Sequence, residues 1–187
     1  MFSSIVLIGP FGVGKTTVGR LIAEKTGLPQ VSLDDLCYAY YQEIGWSSEE
    51  AKRIYTQNGD AAYDDYINSF EPYGVEQVLA RHDNCVIDLG GSHTLYDDQK
   101  RIAHIREALA PYPNVVLLLP SASPEESVRV LRTRWCTDFL EYSVRHLCNF
   151  LLAKHIVYVE GRSPEQIRDE VLERTQFSRF CPSTEYT

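Results

Sequence analysis

Short, mostly apolar runs recur along the chain, each bounded by glycine, proline or acidic residues. There are five: Ile5-Val-Leu-Ile8, Gln30-Val-Ser-Leu33, Cys85-Val-Ile-Asp-Leu89, Val115-Val-Leu-Leu-Leu119 and His155-Ile-Val-Tyr-Val159. Runs that are apolar at consecutive positions, rather than alternate ones, are the pattern of strands buried on both faces. Helical spacing fills the intervals. The spacing predicts a helix over 16–26 that stops at Gly27, and another over 35–44 that begins behind the acidic pair Asp34-Asp35. Ser47-Ser-Glu-Glu50 opens a further helix with a capping pattern, and a long helical region follows over about 59–81. Helices are also predicted over 95–109, from Ser123-Pro-Glu-Glu126 to about Trp135, over 139–154, and from Ser163-Pro-Glu-Gln166 onward. Five strands alternating with helices predict a three-layer α/β/α fold around a five-stranded parallel sheet. Ligands of such sheets gather at the carboxyl ends of the strands, where the glycine and acidic turns of this chain fall. No linker or internal repeat divides the chain, so residues 1–187 are expected to form a single domain.

The first strand runs into Gly9-Pro-Phe-Gly12-Val13-Gly14-Lys15-Thr16-Thr17, which fits G-x-x-x-x-G-K-[ST]. Glycines let the backbone turn tightly, so that Gly12, Val13 and Gly14 can aim successive N–H groups at a phosphate. Lys15 would reach the β- and γ-phosphates, Thr16 would ligate Mg²⁺, and the helix opening there adds its positive N-terminal end. The preceding strand, and Val18, Leu21 and Ile22 at helical spacing behind, give the motif its structural context. A nucleoside-triphosphate site is the reading.

Composition narrows the rest. The formal net charge of −8 argues against a nucleic-acid surface. Five widely spaced cysteines without C-x-x-C indicate neither a disulfide framework nor a zinc site. Met1-Phe-Ser-Ser carries no basic leader, and no apolar run approaches membrane-spanning length, so a soluble cytoplasmic protein with no membrane partner is expected, as a monomer or weak homodimer.

Asp88 ends the third apolar run, where a P-loop enzyme places a second acid to hold Mg²⁺; capping a turn is the other use of an Asp there. Asp34 and Asp35 stand where one of them could orient or deprotonate an acceptor hydroxyl while the other caps a helix. Gly90-Gly91 would let a ligand approach the backbone closely, or simply form a turn. Arg129, Arg132, Arg134 and Arg145 concentrate basic charge in one region, either for an anionic ligand or for pairing with Glu125 and Glu126. Of the five histidines, His93 behind the glycine pair is the one worth testing. The tyrosines, many between Tyr38 and Tyr73, line a pocket or pack helices.

These residues resemble the shikimate kinases, within the wider group of P-loop small-molecule and nucleoside monophosphate kinases, over nearly the whole chain. Gly9 through Arg20 is similar to that family's phosphate loop and following helix. The resemblance gives Asp34 to the substrate hydroxyl, Gly90-Gly91-Ser92 to the family's glycine turn, and Arg145, eight residues before Ala153, to the acceptor. It places Arg162, in Glu160-Gly-Arg-Ser-Pro164, over the adenine. It makes about 35–81 the acceptor-binding helices and about 123–150 a small helical lid whose arginines, Arg129 on the nucleotide and Arg132 at the transferring phosphoryl group, neutralise charge. Two departures matter. Ser32 replaces the family's first carboxylate while Asp88 replaces a small residue, so the charge near the metal is kept. Tyr63-Asp64 replaces a Phe-Arg pair whose arginine holds the substrate carboxylate, and an acid there would repel one.

The resemblance therefore implies an ATP- and Mg²⁺-dependent kinase acting on a hydroxyl of a small metabolite other than shikimate, with Asp34 and Asp64 suited to a polyol, sugar-like or cationic acceptor. A nucleotide kinase, or a nucleotide-binding switch module without a small acceptor, are the alternatives.

Overall fold

Five strands make one all-parallel sheet in the computed structural model, which describes residues 4–134 and 139–177. They are β1 (Ile5–Ile8), β2 (Gln30–Ser32), β3 (Val86–Asp88), β4 (Val115–Leu119) and β5 (His155–Tyr158), in the order β2-β3-β1-β4-β5. The helices, in chain order, are α1 (Lys15–Thr26), α2 (Leu33–Glu43), α3 (Ser48–Asn58), α4 (Asp60–Asn68), α5 (Glu71–Arg81), α6 (Gln99–Leu109), α7 (Pro124–Arg132), α8 (Phe139–Arg145), α9 (Leu147–Leu152) and α10 (Pro164–Arg174).

Side chains alternate across a pleated strand, which divides each apolar run between two cores. Val6, Ile8, Ile87, Leu89, Val115, Leu117 and Leu119 pack with Leu33, Tyr41, Val75, Val78 and Ile105 from α2, α5 and α6. Ile5, Leu7, Val86, Val116 and Leu118 pack with Val18, Ile22, Leu131, Val144 and Val171 from α1, α7, α8 and α10. Both faces of β1 and β4 are therefore buried, which is why these strands are apolar at every position. Each fully buried Val, Leu or Ile contributes roughly 1.5–3 kcal/mol relative to exposure.

Three helix expectations change. The helical region over 59–81 is two helices, broken at Ser69-Phe70, because Pro72 sits in the first turn of a new helix, α5, and offers no N–H to continue α4. The helix expected over 95–109 starts only at Gln99, where the Asp98 carboxylate accepts from the backbone N–H groups of Lys100 and Arg101. The one expected over 139–154 is split at His146, whose extended backbone caps α9 through its own ring nitrogen. The expected end of another helix at Trp135 lies outside the described residues. Among the described residues, no helix is long and apolar enough to cross a membrane.

Candidate active site

The loop between β1 and α1 is a tight glycine turn. Gly14 caps α1 in the left-handed region (φ 106°), and Gly9 and Gly12 also have positive φ, conformations that exact glycine's freedom here. Lys15 is buried, and its ammonium donates to the carbonyls of Gly9 at 2.9 Å and Pro10 at 3.2 Å. Burial lowers the Lys15 pKa, while the carboxylates of Asp88 and Asp34 oppose that shift. Val13 is buried in the adjoining core, and Thr16 and Thr17 stand exposed on the first turn of α1.

Thr16 and Asp88 meet across this loop. The Thr16 hydroxyl donates to Asp88 Oδ2 at 2.5 Å, and Asp88 Oδ1 is buried without a hydrogen-bond partner among the described residues. Burial raises the Asp88 pKa, against the Thr16 hydrogen bond and the Lys15 charge. In the sheet, Asp88 pairs directly with Ser32 of β2. The Asp88 carboxylate thus rises from the position beside Ser32 on the neighbouring strand, about 5 Å away.

Asp34 comes from the first turn of α2 and Gly90-Gly91 from the turn behind β3. A Cβ on Gly90 would lie 2.1 Å from Asp34 Oδ1 and 2.3 Å from His93 Nδ1. One on Gly91 would lie 2.9 Å from the Phe11 backbone nitrogen, in the phosphate loop. The glycine turn therefore wedges between the Asp34 carboxylate and the loop, and no larger residue leaves room for both. Burial raises the Asp34 pKa, with Lys15 opposing and Asp35 adding to the rise. Asp64 lies exposed on α4.

The arginines separate. Arg129 is engaged by both oxygens of Glu126 and by Glu160, Arg132 lies 3.7 Å from Glu141, and Arg145 bonds Glu125 at 2.9 Å and Glu141 at 3.3 Å. Arg162 is tied to Glu170 and to the carbonyls of Tyr158 and Gln166. Arg134, just past α7, instead donates to the Gly12 carbonyl of the phosphate loop at 2.9 Å. The sequence grouped Arg134 with its neighbours without singling it out, since nothing in the spacing marks which arginine reaches across 122 residues to the loop. Between Val13, Pro120, Leu131 and Val159 on its apolar side and Arg134, Glu160 and Arg162 on its charged side lies a cavity of about 320 Å³.

Residues 5–134 match the AAA domain family. A shikimate kinase from Streptomyces coelicolor is 31% identical over 186 residues, covering 92% of this chain and 95% of its own length. The chain belongs to the shikimate kinase family. It is an ATP-dependent small-molecule kinase of the P-loop type. Among solved structures, a shikimate kinase from Acinetobacter baumannii in complex with shikimate aligns with a TM-score of 0.59 at 18% identity, over 96% of both chains. A gluconokinase from Sinorhizobium meliloti 1021 aligns at 0.53 and 19% identity, over 96% of this chain and 93% of its own. At those identities the likeness is one of fold, and it covers the five-stranded parallel sheet and its flanking helices.

Proposed function

We propose that this kinase moves the γ-phosphate of ATP to a hydroxyl of a small neutral or cationic metabolite, a polyol or sugar-like compound, rather than to shikimate. The observation that carries the reading is the wedge of Gly90-Gly91 between Asp34 and Phe11, which sets a carboxylate beside the phosphate loop. Lys15 and the amides of Gly12, Val13, Gly14, Thr16 and Thr17 would hold the phosphates, with Arg162 and the apolar side chains of the cavity at the base. Transfer forms a bond from the acceptor oxygen to Pγ and breaks the bond from Pγ to the β-bridging oxygen, releasing ADP. Asp34 accepts the hydroxyl proton or orients it.

The Thr16 hydroxyl and the unpartnered Asp88 oxygen are hard donors of the kind Mg²⁺ takes, alongside phosphate oxygens and water. Mg²⁺ held there would neutralise charge between the β- and γ-phosphates. For the lid cation, Arg134 is better placed than Arg132 or Arg129, because it already reaches the phosphate loop and has no acidic partner among the described residues.

The acceptor class follows from charge. Asp64 stands where the family resemblance expects an arginine, and Arg145, the residue offered to the acceptor, is already shared between Glu125 and Glu141. An anionic acceptor would find no free cation at either position; a hydroxylated neutral or cationic one needs none. Asp34→Asn is expected to abolish acceptor-stimulated ADP release with MgATP affinity nearly intact. An unchanged rate removes Asp34 from the mechanism.

A further inference from the structure

His93 is the polar side chain of this site that phosphoryl transfer leaves without a task. It is 4% exposed and follows the glycine turn directly. Its Nε2 lies 2.8 Å from the Tyr41 hydroxyl, and its backbone carbonyl accepts from the Tyr96 hydroxyl at 2.9 Å, so the ring is fixed in place. Its other nitrogen, Nδ1, is buried with no hydrogen-bond partner among the described residues. What it faces is Asp34 Oδ1, 3.7 Å away and just beyond hydrogen-bonding range. Carboxylate and imidazole converge over the bare Cα of Gly90, where any side chain would strike both.

The neighbours decide the tautomer. The titratable groups around the ring are Tyr41 and Asp34 from α2, Glu71 from the start of α5, Lys15 from the phosphate loop, and Tyr96 from the ring's own loop. Burial lowers the His93 pKa, with Glu71 opposing and Lys15 adding, so the ring is neutral near pH 7 and carries one proton. On Nδ1 that proton points at the Asp34 carboxylate, and Nε2 accepts from Tyr41. On Nε2 it would leave a lone pair facing an anionic oxygen. The Nδ1–H form is the one electrostatics favours.

We propose that His93 is a positioning residue for Asp34: its Nδ1–H, with Nε2 anchored by Tyr41, holds the carboxylate over Gly90 in the orientation that meets the acceptor hydroxyl. The Asp34 side chain is 55% exposed and can turn to close the 3.7 Å gap, while the buried ring cannot. The proposal rests on the reading of Asp34 as the acceptor carboxylate.

Nitrogen NMR of the nucleotide-free, full-length protein tests the pairing without any acceptor. The expected result is a protonated Nδ1 and an unprotonated Nε2 on His93 at pH 7, with an Nδ1–H signal that moves in Asp34→Asn. An Nε2–H tautomer, or a signal blind to Asp34→Asn, overturns it. The amide of His93→Asn keeps an N–H near the place of Nδ1, whereas that of His93→Gln falls near Nε2. The Asp34 carboxyl carbon should therefore titrate about one pH unit higher in His93→Gln and less than half as far in His93→Asn. Equal shifts in the two variants, or none, overturn the proposal. A failure here leaves the kinase reading standing, because that reading is tested by ADP release.

Discussion

Gly90→Ala is a small change with a large expected effect. Gly90 is not among the glycines with positive φ, so alanine meets no backbone strain there. What the new methyl meets is Asp34 Oδ1 at 2.1 Å and His93 Nδ1 at 2.3 Å, and real Cβ contacts begin near 3.0 Å. The carboxylate must retreat by about 1 Å, and the imidazole or the turn itself by nearly as much, with the half-exposed carboxylate yielding more easily than the buried ring. Misplacing a reacting group by that distance costs on the order of 10²-fold in rate. In a coupled ADP-release assay at saturating MgATP, kcat should fall about 100-fold while KM for MgATP stays within about twofold. The thermal midpoint should drop by several degrees as well, because the buried His93 ring, unlike Asp34, cannot yield toward solvent. A Gly90→Ala enzyme with unchanged kcat would refute the placement of the acceptor carboxylate over Gly90.

Further outcomes follow from the same geometry. Lys15→Met should abolish normal MgATP binding and turnover, since no other buried cation lines the phosphate loop among the described residues. Asp88→Asn should remove the Mg²⁺-dependent part of the thermal shift given by ATP, leaving the small metal-independent part. Burial raises the Asp34 pKa above the ordinary 3.8, so the acid limb of kcat/KM should lie above that value, with activity lost as pH falls through it. Asp88 is raised as well, so the native state binds its proton more tightly than the unfolded chain does. Relative to Asp88→Asn, the nucleotide-free protein should therefore gain thermal stability as pH drops from neutral toward 3.8. Arg134→Ala should lower kcat by roughly 10²–10³-fold, and Arg129→Ala and Arg132→Ala by far less; equal losses in all three would assign the lid charge to none of them.

The strands and the phosphate loop were legible because each is local. Consecutive apolar residues mark a strand covered on both faces, and G-x-x-x-x-G-K-T states its own backbone geometry. Helix breaks were legible only in part. Pro72 and Asp98 were available signals for the starts of α5 and α6, whereas nothing at His146 distinguishes a ring that caps a helix from one that continues it. Long-range meetings were the least visible. Asp34, Gly90 and His93 were each singled out, but their convergence depends on β2 lying beside β3. The exchange of an acid between positions 32 and 88 was readable from the family resemblance, while their direct pairing in the sheet was not. Arg134 needed the return of the chain behind α7 onto Gly12.

The measurement closest to the central claim is ADP release from MgATP across a panel of polyols, sugars, cationic hydroxylated metabolites, nucleosides and nucleoside monophosphates, with shikimate included. The account predicts stimulation by a neutral or cationic hydroxylated compound, lost in Asp34→Asn. Stimulation by shikimate would contradict the weight placed on Asp64. Stimulation by nucleoside monophosphates alone would make the acceptor a phosphate, and a protein that binds ATP yet answers to none of the panel would contradict the kinase reading of this site.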